Sequence, residues 1–203
     1  MNPTEHLFGE DVRSSEGEQT RKYNLLAARL IADLIKSSLG PRGLEKMYID
    51  LLGEVTLTKD GATILRKIDV EHPAAKILIE ASNAVDNEVG DGTISVVVLA
   101  GSLLEKASEL LDMGISPAII EEGYLKGLEI SLKTLKIISK SSKNTDREIM
   151  ENLARTCLRS KAISFFTNDE NMVAKLVVAA FYTIANFTNN HVEIDDIKIE
   201  EKP

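Results

Sequence analysis

The sequence is poor in cysteine and histidine, the residues that build disulfide bridges and zinc sites. Its 203 residues include one cysteine, Cys157, and three histidines, His6, His72 and His191. A single cysteine excludes an intrachain disulfide, and the scattered histidines lack the spacing of zinc ligands. We therefore expect a reduced setting, which favours a cytoplasmic location.

Long apolar runs and basic clusters are also missing. The densest apolar runs, at 96–100 and 176–182, are far shorter than the roughly 20 residues that a membrane helix needs, and residues 1–19 have no apolar core of a signal peptide. The 24 Lys and Arg are outnumbered by 32 Asp and Glu, for a net charge of -8. Because binding to a phosphate backbone needs clustered positive charge, we expect neither nucleic acid nor a membrane as a partner.

What is present is the composition of a folded, mainly helical protein, with 43% hydrophobic and 28% charged residues. Apolar residues recur at three- and four-residue steps in six stretches: 21–39, 74–86, 93–111, 116–138, 146–158 and 171–185. The runs 46–50 and 55–58 predict a small β-hairpin, and a short helical piece follows the turn at 59–61. The stretch 93–111 is apolar nearly all round, so we expect a central, buried helix.

Three segments differ in character from these elements. Residues 1–18 are polar and acidic, which predicts a mobile N-terminal arm. The polar stretch 139–145 is typical of a domain boundary. Residues 191–199 alternate apolar and polar side chains and so indicate a strand, without a partner strand nearby.

Glycine turns mark the places where chemistry could occur. The turn at Gly92 precedes a long apolar helix, and phosphate groups bind well at such a helix N-terminus. Asp91 beside it offers a hard oxygen ligand for Mg²⁺, and Asp60 in another turn could orient a water molecule. The plainer alternatives are a helix cap for Asp91 and turn chemistry for Asp60. The Gly40 turn lacks the spacing of a Walker A loop, so any nucleotide site is of another type.

Four motifs occur here in the order and spacing of one known family: SLGPRGLEKM at 38–47, TKDGAT at 58–63, HPAA at 72–75 and EVGDGT at 88–93. Together they resemble the equatorial domain of group II chaperonins, the archaeal-type thermosome subunits. The run CLRSK at 157–161 is similar to the lysine motif of their intermediate domain. The resemblance implies an equatorial-type helical half-domain at 19–144 and the N-terminal half of an α/β intermediate domain at 145–203.

The resemblance also implies ATP and Mg²⁺ as cofactors, with Asp91 as the Mg²⁺ ligand and Asp60 as the catalytic carboxylate near the γ-phosphate. It assigns nucleotide binding to residues of the three turns and to one lysine: Leu39, Gly40, Pro41, Gly61, Gly90, Gly92, Thr93, Ile94, Ser95 and Lys161. For Lys161 the plainer alternative is a solvated charge at a helix end.

The sequence departs from the family pattern at two positions of the motifs. Lys59 stands where the family usually has asparagine, and Ile94 replaces a threonine, which removes a hydroxyl from the phosphate turn. The resemblance further implies that the apical domain and a second catalytic aspartate lie outside these residues, so it leaves ATP hydrolysis by this chain open. Part of the 93–111 helix would then lose its cover and expose an apolar patch.

Two functions follow as expectations. The first is an ATP-handling part of a protein-folding chaperonin, which acts in a ring of chaperonin subunits or with a complementary polypeptide and meets unfolded protein only through such a complex. The alternative is a non-catalytic assembly or regulatory partner that docks onto full-length chaperonin rings. The three matched turns favour the first function, whereas Lys59, Ile94 and the half of a family subunit that the resemblance places outside these residues favour the second.

Overall fold

The structure, a computed structural model, describes residues 17–139, 146–159, 170–185, 192 and 197–198. Its elements follow the chain in the order α1 Glu18–Lys36, β1 Lys46–Ile49, β2 Val55–Thr58, α2 Gly61–Lys67, α3 Pro73–Val89, α4 Thr93–Asp112, α5 Pro117–Ile138, α6 Arg147–Arg159 and α7 Glu170–Ile184. The prediction of a mainly α fold with a small hairpin is confirmed. The predicted arm up to residue 16, most of the boundary at 139–145 and nearly all of the predicted strand at 191–199 lie outside the described residues.

Helix α1 forms because one of its faces is apolar and meets the core. Its buried residues are Ala28, Ile31, Ala32 and Ile35. The helix begins at Glu18, earlier than the apolar spacing predicts, and Glu18 pairs with Lys22 one turn later at 2.6 Å. It ends at Lys36 rather than 39 because the Ser38 N–H donates to the Ile35 carbonyl in a tighter turn, ahead of Gly40 at φ 81°.

The core lies where α1, α3 and α4 meet. Val97 and Ile35 are fully buried there, and Leu65 of α2 completes the cluster. Helices α1 and α4 approach closely because Gly101 has no side chain: a Cβ added at Gly101 would lie 2.3 Å from the Cβ of Ala32. Packing against α1 and α3 thus sets the position of the α4 axis.

Helix α4 is central but is buried on one face only. Val97 and Gly101 are buried, whereas Leu99 is 61% exposed on another side of the helix. The expectation that the helix is buried all round is therefore wrong for that side, and the expected apolar patch is present. The cause is that α1 and α3 cover one half of the helix and α5 covers little of the rest.

The hairpin pairs β1 and β2 in antiparallel register, with Met47 opposite Leu57 and Ile49 opposite Val55. These four apolar side chains are exposed, and the less exposed face of the hairpin carries Tyr48 and Thr56, among others. The turn between the strands is held by the Asp50 carboxylate, which accepts hydrogen bonds from two backbone N–H groups. The hairpin therefore turns its apolar face outward.

The C-terminal helices α6 and α7 pack against each other. In α7 the small residue Ala174 and Val178, one turn later, are buried. No helix in the described ranges is long and apolar enough to cross a membrane.

Candidate functional site

Three glycine turns that are far apart in the sequence line one open cavity of about 270 Å³. They are the loop after α1, the β2–α2 turn and the α3–α4 turn, and α6 contributes one residue. The described lining residues are Ser38, Leu39, Gly40, Pro41, Lys59, Gly61, Asp91, Gly92, Thr93, Ile94, Ser95 and Thr156.

The α3–α4 turn presents the N-terminus of a 20-residue helix to this cavity. Gly90 at φ 72° ends α3, and its N–H donates to the Asp86 carbonyl. Gly92 at φ 83° is the N-cap of α4 and has no side chain to bond the first N–H groups of the helix. Those N–H groups and the positive end of the helix dipole are the features that bind phosphate oxygens.

Asp91 lies between the two glycines with an exposed side chain. It does not cap α4, because the N-cap is Gly92. Its Oδ2 atom lies 3.7 Å from the Sγ of Cys157 on α6, and Thr156 beside that cysteine lines the same cavity. Helix α6 therefore lies over the cavity next to the carboxylate that the sequence predicts as the metal ligand.

The loop after α1 brings a buried hydroxyl to the cavity. Ser38 is 2% exposed, and its Oγ atom has no hydrogen-bond partner among the described residues. The loop is tight: the Gly43 N–H donates to the Gly40 carbonyl, and a Cβ at Gly43 would lie 2.2 Å from the Ser38 carbonyl oxygen. A buried hydroxyl beside a cavity retains its capacity to bond a ligand.

Asp60 has a structural role that the sequence left as an alternative. It is the N-cap of α2, and its Oδ2 accepts hydrogen bonds from the Thr63 N–H at 2.9 Å and from the Thr63 hydroxyl at 2.8 Å. Asp60 itself is not among the described lining residues, whereas its neighbours Lys59 and Gly61 are.

Gly61 is a point of close contact between two of the turns. A Cβ at Gly61 would lie 2.5 Å from Ile94 Cγ1 and 2.8 Å from the Thr93 hydroxyl oxygen. Ile94, which departs from the family pattern, therefore packs its side chain against the β2–α2 turn. Lys59, the other departure, lines the cavity and is 5% exposed.

The structure brings nine of the predicted site residues together around the cavity: Leu39, Gly40, Pro41, Gly61, Asp91, Gly92, Thr93, Ile94 and Ser95. Gly90 and Asp60 belong to the same turns but are not among the residues that line the cavity. Lys161 lies outside the described residues. Sequence reasoning did not assign Ser38, Lys59 and Thr156 to the site. For Ser38 a signal existed, because a hydroxyl residue directly precedes the predicted loop at Leu39.

The donor set fits a magnesium-bound phosphate group. It offers one carboxylate, Asp91, the uncapped N-terminus of α4 and the buried hydroxyl of Ser38. Mg²⁺ commonly binds through one or two carboxylates and completes its coordination with phosphate oxygens and water. Within the described residues, no three His, Cys, Asp or Glu side chains form a cluster that could hold a metal ion by themselves.

Comparison with known proteins agrees with the motifs and the fold. Residues 31–203 match the model of the TCP-1/cpn60 chaperonin family. The chain is 42% identical over 199 residues to thermosome subunit alpha of Aeropyrum pernix and 44% identical over 198 residues to thermosome subunit beta of Archaeoglobus fulgidus. A thermosome subunit of Pyrococcus abyssi is 42% identical over 198 residues.

The chain belongs to the TCP-1/cpn60 chaperonin family, and the resemblance to the thermosome subunits is confirmed. In each of these three comparisons the match covers 97% of this chain and 36% of the relative. The chain therefore spans about a third of the length of the curated relatives that it matches.

Proposed function

We propose that this chain is the nucleotide-binding part of a chaperonin subunit and that its cavity binds Mg–ATP in support of protein folding. The observation that carries the proposal is the convergence of three distant turns on one cavity at the N-terminus of α4. A bound triphosphate needs hydrogen-bond donors from several segments at once, and three such segments meet here.

Each group has a role in this proposal. Asp91 holds Mg²⁺, which neutralises phosphate charge when it is bound. The backbone of Gly92, Thr93, Ile94 and Ser95 binds phosphate oxygens, with the Ser38 hydroxyl as a further donor. Residues 39–41 and the glycines Gly61 and Gly90 let the backbone approach the ligand.

Asp60 orients water near the terminal phosphate in this proposal, and Lys161 reaches the same phosphates from the C-terminal segment. Asp60 also caps α2, so its backbone is fixed relative to the cavity. Each carboxylate oxygen can accept more than one hydrogen bond, so the capping role does not exclude a bond from water.

We also propose the division and the partners that the family suggests: an equatorial half-domain at 19–144, an intermediate-domain half at 145–203, and assembly with other chaperonin subunits or a complementary polypeptide in the cytoplasm. Apolar side chains on α5 support a partner. Only Ile120 is buried in that helix, and Leu125, Leu128 and Leu135 are more than half exposed.

A second candidate function is a non-catalytic partner that docks onto full-length chaperonin rings. The observation that favours it is Ile94, which presents a packed hydrocarbon side chain in the phosphate turn instead of a hydroxyl. The two functions differ in nucleotide binding, because only the first requires it.

Isothermal titration of the purified chain with Mg–ADP and Mg–ATP tests the first function. We expect saturable binding at one site that disappears when EDTA removes Mg²⁺ and that Asp91→Ala reduces at least tenfold. The control is Asp69→Ala, which removes an exposed aspartate that does not line the cavity. Equal affinity in wild type and Asp91→Ala contradicts the assignment, and absence of binding in wild type favours the non-catalytic partner.

A further inference from the structure

Ser82 is a buried hydroxyl directly behind the candidate phosphate turn. It lies in α3, its side chain is fully buried, and its Oγ donates a hydrogen bond to the Thr93 carbonyl oxygen at 3.2 Å. Thr93 is the first residue of α4 and lines the cavity. The bond therefore joins the middle of α3 to the start of α4 across the turn that contains Asp91.

The turn needs such an attachment because it has little restraint of its own. Gly90 and Gly92 both have positive φ, and neither carries a side chain that could hold the turn against the helices. The first half of the turn is attached to α3, because the Gly90 N–H donates a hydrogen bond to the Asp86 carbonyl oxygen. The second half, Gly92 and Thr93, has no side-chain cap at the N-terminus of α4.

Thr93 also contacts Gly61 of the β2–α2 turn. The Thr93 hydroxyl oxygen would be only 2.8 Å from a Cβ at Gly61, so the two residues are in close contact. Thr93 thus contacts both Ser82 of α3 and the first residue of α2, the helix that Asp60 caps. A shift of Thr93 would change the separation of the turns that carry Asp91 and Asp60.

We infer that Ser82 is a positioning residue: its hydrogen bond to Thr93 fixes the α4 N-terminus at the place where it binds phosphate. The inference rests on the proposed nucleotide site. The Thr93 carbonyl oxygen is the first of α4, so it also accepts the helical hydrogen bond from the N–H of residue 97. A carbonyl oxygen can accept two hydrogen bonds. Loss of the Ser82 hydroxyl therefore leaves the helix intact and loosens only its attachment to α3.

The test compares Ser82→Ala and Ser82→Cys with wild type by titration with Mg–ADP and by thermal unfolding. We expect both variants to bind about three- to tenfold more weakly, the size of one neutral hydrogen bond, because alanine lacks the donor and the thiol is a weak one. Because cysteine has approximately the volume of serine, Ser82→Cys provides the measurement if Ser82→Ala does not fold.

Ser102→Ala is the matched control, since the Ser102 hydroxyl also donates to a carbonyl of α4, that of Val98 at 2.9 Å, but on an exposed face away from the cavity. Its affinity should equal that of wild type. Wild-type affinity in Ser82→Ala overturns the inference, and so does a loss in Ser82→Ala that Ser82→Cys does not share, because packing is then the cause. Absence of Mg–ADP binding in wild type instead overturns the proposed nucleotide site itself.

Discussion

The Sγ of Cys157 lies 3.7 Å from the Oδ2 of Asp91, although the two residues are 66 positions apart in the sequence. Cys157 is on α6 and is exposed, and it is the only cysteine of the chain. The pair joins the C-terminal helices to the cavity, because Thr156 beside Cys157 is also a lining residue. A chemical change at this thiol should therefore alter ligand binding at the Asp91 carboxylate.

Modification of Cys157 with N-ethylmaleimide is expected to weaken Mg–ADP binding at least fivefold. The adduct adds several heavy atoms to a sulfur that lies 3.7 Å from the carboxylate where the proposed Mg²⁺ would bind. Titration before and after labelling measures the effect. Cys157→Ser, treated in the same way, is the control and should be unaffected by the reagent. Unchanged affinity in the labelled protein would show that α6 does not lie over the site in solution.

Gly61→Ala should damage both stability and the site. Its Cβ would lie 2.5 Å from Ile94 Cγ1, which forces a shift in the phosphate turn. Overpacking of this kind costs about 1–3 kcal/mol of unfolding free energy. Chemical denaturation measures that loss, and titration with Mg–ADP should show weaker binding in the protein that remains folded.

The control for that substitution is Gly123→Ala in the middle of α5. A Cβ at Gly123 meets nothing within 4 Å. Because alanine favours the helix over glycine, Gly123→Ala should raise the unfolding free energy by about 0.5–1 kcal/mol. A tolerated Gly61→Ala with wild-type affinity would refute the close contact between the two turns.

Much of the fold could be predicted because its signals are local. A few adjacent residues are enough to predict the turn at Gly90 to Gly92 and the helix start at Pro117. Helices α4 and α5 begin where these residues predict. The start of α1 at Glu18 was not predicted, because residue 18 shares the polar, acidic composition of the segment before it. The first turn of the helix is supported by a single ion pair, Glu18–Lys22.

The site was less accessible to sequence reasoning. Residues near the glycine turns could be assigned from motifs, but no local signal relates Cys157 to Asp91, because that contact depends on how α6 packs. The sequence predicted an exposed apolar patch on α4 but not that Leu99 belongs to it, since the exposure of each residue depends on which surfaces other segments cover.

Asp60 should show separable capping and charge roles. Asp60→Ala removes the acceptor of the Thr63 N–H and is expected to lower the unfolding free energy by about 0.5–2 kcal/mol. Asp60→Asn keeps a good N-cap acceptor and should stay within about 0.5 kcal/mol of wild type. Chemical denaturation of the two variants makes the comparison. Equal destabilisation by both would show that the negative charge, and not the cap, stabilises this turn.

The leucines of α5 predict that the purified chain associates with itself. Leu125, Leu128, Leu132 and Leu135 follow a three- and four-residue spacing along one face, and they are 60%, 55%, 51% and 56% exposed. Burial of apolar surface is worth about 25 cal/mol per Å², so a few hundred Å² left in water forfeits several kcal/mol of stability. Association, or a loosely packed state that binds hydrophobic dyes, is the expected result.

Light scattering after size exclusion and dye fluorescence measure this directly. The double variant Leu128→Lys with Leu135→Lys should shift the chain toward monomer and reduce dye binding, because two charges interrupt the apolar face. Thr134→Lys adds a charge to an exposed polar position of the same helix and should change neither measurement. A wild-type chain that is monomeric at micromolar concentration, binds no dye and unfolds in one sharp transition would contradict the prediction, because the leucine face would then be stable in water without a partner.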